Sequence, residues 1–135
     1  MSASINFDCE NFGKLFIRLF VGMFFMVNGV YFFVCGHAAL AVLGTVFGVI
    51  GIHFSPILFG GMLAAMHIVC GLTMVMGFFF RWSCFLLGSI SLLEAAIAIF
   101  MGKSILNDVA YIFIVSMVTF GLMFTGSGKF SATKK

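Results

Sequence analysis

Long apolar stretches separated by short polar or glycine-containing breaks dominate the pattern of this chain. A helix needs about 20 mostly apolar residues to cross the hydrocarbon core of a bilayer. Stretches of that kind cover about residues 15–35, 56–80, 82–101 and 109–126. The pattern therefore predicts an all-α membrane protein, a four-transmembrane-helix bundle that forms a single domain over residues 1–135.

The breaks between the stretches agree with this division. Pro56 stands near the start of the second span, where its missing N–H costs nothing. Arg81 alone separates the second span from the third, which predicts an antiparallel hairpin. Asn107 and Asp108 are typical residues for the start of the fourth span.

A fifth apolar stretch, residues 38–52, is about 15 residues long and too short for an ordinary span. It favours a short interfacial or re-entrant helix between helices 1 and 2. With four spans, six basic residues fall on one side of the membrane and Lys103 alone on the other. The six are Lys14, Arg18, Arg81, Lys129, Lys134 and Lys135. The positive-inside rule then predicts that both termini are cytoplasmic.

Composition excludes a soluble domain. Hydrophobic residues make up 63% of the chain and charged residues 8%, against roughly 25% charged in soluble domains. The net charge of +3 is attributed to topology and contact with anionic lipid, and no nucleic-acid partner is expected. Little chain lies outside the predicted spans, so an accessory role beside other membrane protein subunits is favoured over a stand-alone enzyme.

Three polar residues on three different spans fall at one depth. Counted from the cytoplasmic ends of their helices, Asn28, His67 and Glu94 all lie roughly 18–20 Å into the membrane. One interpretation is a site in the bundle core, where a His–Glu pair relays a proton or holds the head group of a quinone. The alternatives are an interhelical hydrogen-bond pin, typically worth ~0.6 kcal/mol, or side chains that point in unrelated directions.

Four further residues are weaker candidates. Arg18 lies about one turn into the first predicted span, so its side chain is expected to extend to the cytoplasmic interface, with a buried role as the alternative. Cys35, His37 and His53 flank the short helix, but their spacing matches no strong metal motif. Ordinary interface residues are favoured there, neither haem nor a metal is expected, and a quinone remains open as the cofactor.

Three stretches carry a recognisable combination of residues. They are Arg18-Leu19 … Asn28-Gly29 in the first span, Leu63-Ala64-Ala65 … Gly71 … Arg81 around the second, and Gly126-Ser127-Gly128-Lys129-Phe130-Ser131 near the end. Together they resemble the DoxX family of small bacterial membrane proteins. Two positions depart from it, because the family often has Glu where His67 stands and Lys where Phe32 stands.

The resemblance implies a function without assigning a catalytic residue. DoxX family members include the small subunit of a thiosulfate:quinone oxidoreductase and a component needed for methylamine dehydrogenase maturation. A small integral membrane subunit of redox or quinone-linked machinery, in the bacterial inner membrane, is therefore expected. A structural or assembly subunit of a larger membrane complex and a small-solute or metal transporter remain alternatives.

Overall fold

A computed structural model of the chain describes residues 2–126, with side chains described from residue 9 onward. Its helices are α1 (Ser2–Cys35), α2 (His37–Val49), α3 (Pro56–Met76), α4 (Phe80–Phe100) and α5 (Ala110–Thr125), with a π-helical turn, Ile105–Val109, directly before α5. The C-terminal stretch from Ser127 to Ser131 that resembles the DoxX family, and the lysines Lys129, Lys134 and Lys135, lie outside the described residues.

The predicted fold class is confirmed. Four helical segments are long and apolar enough to cross a membrane, namely Cys9–Cys35, Pro56–Met76, Phe80–Phe100 and Ile105–Thr125. The shorter helix α2 lies between the first two of them. We call the end of the bundle that holds the α3–α4 turn the hairpin end, and the end that holds the α4–α5 connection the Lys103 end.

Helix α1 begins well before the first predicted span. Its 34 residues correspond to about 51 Å of helix, against ~30 Å of hydrocarbon. No proline interrupts the polar N-terminal part. Lys14 Nζ lies 2.6 Å from Glu10 Oε1, one helical turn away, an ion pair of the kind that supports helix formation.

The α3–α4 turn differs in detail from the predicted hairpin. Helix α3 ends at Met76 and is capped by Gly77 in the left-handed conformation (φ 75°), where glycine is favoured. Helix α4 starts at Phe80, so Arg81 lies in its first turn and not between the helices. The hydroxyls of Thr73 and Ser83 are 2.8 Å apart and join the two helices across the turn.

Small residues bring α1 and α3 close together. A Cβ at Gly29 would lie 2.7 Å from the carbonyl oxygen of Ala64, and one at Gly22 would lie 2.9 Å from that of Gly71. Lipid provides no hydrophobic drive for helix association, so packing of this kind has to supply it.

Helix α2 packs tightly on the first half of α3. A Cβ at Gly44 would overlap the carbonyl oxygen of Pro56, and one at Gly60 would overlap that of Leu40. Residues of α2 are buried in one apolar cluster with residues of α3 and α4: Leu40, Leu43, Val46, Leu63, Ala64 and Ile97. The short helix is therefore an integral part of the bundle.

A second apolar cluster fills the core towards the hairpin end. It consists of Phe25, Met74, Phe80, Cys84, Leu87 and Leu122, and we call it the hairpin-end cluster. Beside it, Ser116 Oγ donates a 2.9 Å hydrogen bond to the carbonyl oxygen of Gly88, which links α5 to α4. This half of the bundle is closely packed.

Candidate intramembrane polar site

A cavity of about 230 Å³ lies between the hairpin-end cluster and the Lys103 end, and all five helices contribute to its walls. Asn28, His67 and Glu94, the three polar residues predicted to share one depth, all line it. The structure thus brings the trio to one space in the bundle.

Helical periodicity explains how each residue reaches the cavity. Asn28 stands between Phe25 and Phe32, which also line the cavity and lie on the same face of α1. On α3, His67 follows the buried residues Leu63 and Ala64 by one turn. On α4, Glu94 lies one turn from the buried cavity residues Ser91 and Ala98.

The imidazole of His67 is held by its own helix. Nδ1 lies 2.8 Å from the carbonyl oxygen of Leu63, four residues earlier. A carbonyl oxygen only accepts hydrogen bonds, so Nδ1 carries the hydrogen and donates it. This contact assigns the tautomer and leaves Nε2 for the cavity.

Nε2 of His67 faces the carboxyl group of Glu94. The distance from Nε2 to Oε1 is 3.6 Å, and the two side chains are 2% and 16% exposed. In the neutral ring with hydrogen on Nδ1, Nε2 presents a lone pair, which a carboxylate oxygen would repel. One proton between the two atoms removes that repulsion, as a carboxylic acid facing imidazole or as imidazolium facing carboxylate.

The same carboxyl oxygen is free to form a hydrogen bond. Glu94 Oε1 is enclosed, and among the described residues it has no hydrogen-bond partner. A separation of 3.6 Å exceeds the ~2.7–3.2 Å of a direct hydrogen bond. Buried polar atoms in this condition call for an explanation, and a bound molecule with polar atoms supplies one.

Aromatic rings surround the pair. The centroids of the Phe25 and Phe32 rings lie 5.7 Å and 6.4 Å from that of the His67 imidazole. The cavity therefore offers flat apolar walls around a few polar atoms, which is typical of small-molecule sites.

Asn28 does not join the pair directly. It is half-buried and lines the cavity, but no hydrogen bond links it to His67 or Glu94 within residues 9–126. The three side chains are therefore not a closed hydrogen-bonded pin. The Asn28 amide offers both a donor and an acceptor to whatever occupies the cavity.

Four polar lining residues were not among the predicted site residues: Tyr31, Ser91, Lys103 and Tyr111. Tyr31 and Ser91 could have been found, because each lies three residues from a member of the trio on the same helix. Lys103 and Tyr111 belong to the α4–α5 connection and the start of α5, and only the folded bundle brings them to the cavity.

The burial of Arg18 favours the buried role that the sequence left as the alternative. Arg18 is 2% exposed and lies inside the bundle. Because α1 starts at Ser2, Arg18 stands several turns into the helix and is covered by its neighbours. It does not line the cavity, and ten residues of helix, about 15 Å, separate it from Asn28.

The structure does not assemble Cys35, His37 and His53 into a metal site. All three residues are exposed. Within the part of the chain that the structure describes, no group of three or more His, Cys, Asp or Glu side chains could hold a metal ion.

Comparison of the chain with protein-family models, with curated proteins and with solved structures gave no match. The resemblance to the DoxX family stays a prediction, and the functional argument rests on the geometry of the cavity.

Proposed function

We propose that this protein is a small integral membrane subunit that binds the head group of a quinone and exchanges protons with it. The redox partner that it serves lies in the bacterial inner membrane, with both termini of this chain on the cytoplasmic side. One observation carries the proposal, namely the 3.6 Å approach of His67 Nε2 to Glu94 Oε1 on the wall of a cavity.

The chemistry of a quinone matches this pair. Full reduction of a quinone to a quinol consumes two electrons and two protons, with one proton going to each carbonyl oxygen. The pair can donate one proton to a carbonyl oxygen or take one from a hydroxyl, and it handles the second proton after it has exchanged its own proton with water. The electrons would pass to or from a redox-active partner protein, while this chain supplies hydrogen bonds and the proton route.

The size of the cavity favours binding of a quinone head group alone, without its isoprenoid tail. Pockets that enclose drug-sized ligands measure about 300–1,000 Å³, and this cavity measures about 230 Å³. A single ring with two carbonyl groups suits that space, stacked near Phe25 and Phe32. The isoprenoid tail would lie among the lipid-facing helices.

The resemblance to the DoxX family and the shortness of the connections support an accessory role. At the Lys103 end, residues 50–55 join α2 to α3 and residues 101–104 join α4 to the π-helical turn before α5, so the described chain has no soluble domain on that side. A partner would have to provide the rest of a redox reaction.

Quinone binding by the purified protein tests the proposal. The probe is a short-tailed ubiquinone analogue titrated by calorimetry in detergent, beside chromatography of quinone extracted from the freshly purified protein. Glu94→Leu and His67→Leu remove the polar atoms at similar volume and are expected to weaken binding about tenfold or more. Glu94→Gln keeps a donor and is expected to stay within about threefold of wild type.

Ser116→Ala is the matched control. Ser116 is fully buried and hydrogen-bonded to Gly88 but does not line the cavity, so its loss should leave quinone affinity unchanged. Absence of quinone binding in the wild type, or equal affinity in Glu94→Leu, contradicts the proposal. Loss of a co-purifying membrane complex in the same variants would then favour the assembly subunit.

A further inference from the structure

A second concave surface lies at the hairpin end, between the start of α4 and the end of α5. Arg81, Trp82, Phe85, Met123 and Phe124 line it, and its volume is about 510 Å³. We call it the Arg81 groove. It is separate from the His67–Glu94 cavity, with which it shares no lining residue.

The groove combines one cation with an apolar floor. Arg81 is exposed. Within residues 9–126 a basic side chain lies within 4 Å of a carboxyl group only at Lys14–Glu10 and His67–Glu94, so the Arg81 guanidinium pairs with no described carboxylate. The other four lining residues are all apolar or aromatic, and none is acidic. A guanidinium binds phosphate oxygens through two parallel N–H donors.

Trp82 marks the depth of this surface. Its side chain is 69% exposed beside Arg81, and tryptophan is enriched where lipid head groups meet the hydrocarbon. Phe85, one turn further along α4, and Phe124 on α5 are 48% and 77% exposed. The groove therefore places a cation beside exposed aromatic side chains at the hairpin end of the bundle.

We propose that the Arg81 groove binds one anionic phospholipid. The phosphate lies on the guanidinium of Arg81 beside the indole of Trp82, and an acyl chain lies along Phe85, Met123 and Phe124. The inference does not depend on the quinone proposal, because it uses other residues at the other end of the bundle.

Native mass spectrometry of the detergent-purified protein tests this assignment. The probes are phosphatidylglycerol and phosphatidylcholine with the same acyl chains, each titrated to give the dissociation constant of the first bound lipid. Wild type is expected to prefer phosphatidylglycerol by about fivefold. Arg81→Gln is expected to remove that preference, and Arg81→Lys to keep part of it.

Three further variants test whether the groove itself, and not general positive charge, binds the lipid. Lys103→Gln removes a cation at the opposite end and should leave the preference for phosphatidylglycerol unchanged. The combined Lys129→Gln, Lys134→Gln and Lys135→Gln variant should also leave it unchanged for the first bound lipid. Met123→Trp fills the apolar part of the groove and should weaken the binding of both lipids to the same extent.

The assignment has clear ways to fail. An unchanged preference in Arg81→Gln overturns it, and so does a preference that disappears only with the three tail lysines. Absence of any preference between the two lipids in the wild type also overturns the assignment. A protein partner would then be favoured as the occupant of the groove.

Discussion

His67 and Glu94 meet through one pair of atoms, Nε2 and Oε1, that lie 3.6 Å apart. The meeting is directional because the other ring nitrogen of His67 already donates to the carbonyl oxygen of Leu63 at 2.8 Å. The backbone of α3 thus decides which atom of the ring faces α4. The separation exceeds that of a direct hydrogen bond, so a polar atom of a bound molecule is needed to connect Nε2 with Oε1.

The tautomer of His67 is the most direct prediction. We expect ¹⁵N NMR of protein labelled at histidine to show hydrogen on Nδ1 of His67 in its neutral form, because the Leu63 carbonyl requires a donor there. The chain has only three histidines, and His37 and His53 are exposed. The spectrum of His67→Leu identifies the His67 signals by their loss, and hydrogen on Nε2 alone would contradict the geometry.

Access to the cavity is expected from the Lys103 end. Lys103, Met101 and Tyr111 are exposed and line the cavity, whereas the hairpin-end cluster closes the other side. In a variant without the four native cysteines, a charged thiosulfonate reagent should modify Ser91→Cys when added at the Lys103 side of oriented proteoliposomes, but not when added at the hairpin side.

The control for this labelling is Leu87→Cys. Leu87 is fully buried in the hairpin-end cluster, one turn of α4 from Ser91, and should stay unmodified from both sides. Equal labelling of Ser91→Cys from the two sides would mean that the cluster does not seal the bundle.

Gly29 is expected to tolerate no side chain. Gly29→Ala would place Cβ 2.6 Å from Ile68 Cγ1 and 2.7 Å from the Ala64 carbonyl oxygen, so α1 and α3 would have to separate. We expect a loss of about 1–3 kcal/mol of stability, measured by thermal unfolding in detergent. Gly61→Ala in α3 meets nothing within 4 Å and should be neutral or stabilising, by up to ~1 kcal/mol.

Gly44 controls the position of α2. A Cβ there would overlap the Pro56 carbonyl oxygen, whereas one at Gly48 would meet only His53, with Nδ1 at an ordinary 3.8 Å. Gly44→Ala is therefore expected to loosen α2, which forms one wall of the cavity, and to speed amide hydrogen exchange across Leu40 to Val46. Gly48→Ala should leave exchange unchanged, and similar exchange in both variants would contradict the close packing.

The sequence by itself determined the class of protein, the four spans and the presence of a short helix between the first two. The bilayer is the reason: without water, each backbone polar group must be satisfied within a helix, so apolar length translates directly into spans. The depth of a residue in the membrane follows from its distance along the helix, since each residue adds a constant rise. This depth alone identified Asn28, His67 and Glu94 as candidate site residues.

Tertiary structure decided which way those side chains face. Rotation about a helix axis depends on where neighbouring helices fit, as Gly29 on Ala64 and Gly44 on Pro56 do here, and such contacts join residues far apart in the sequence. For that reason the burial of Arg18 and the arrival of Tyr111 at the cavity could not be read from the chain. The 3.6 Å approach of Nε2 to Glu94 likewise required the folded helices, because it depends on how closely α3 and α4 pack.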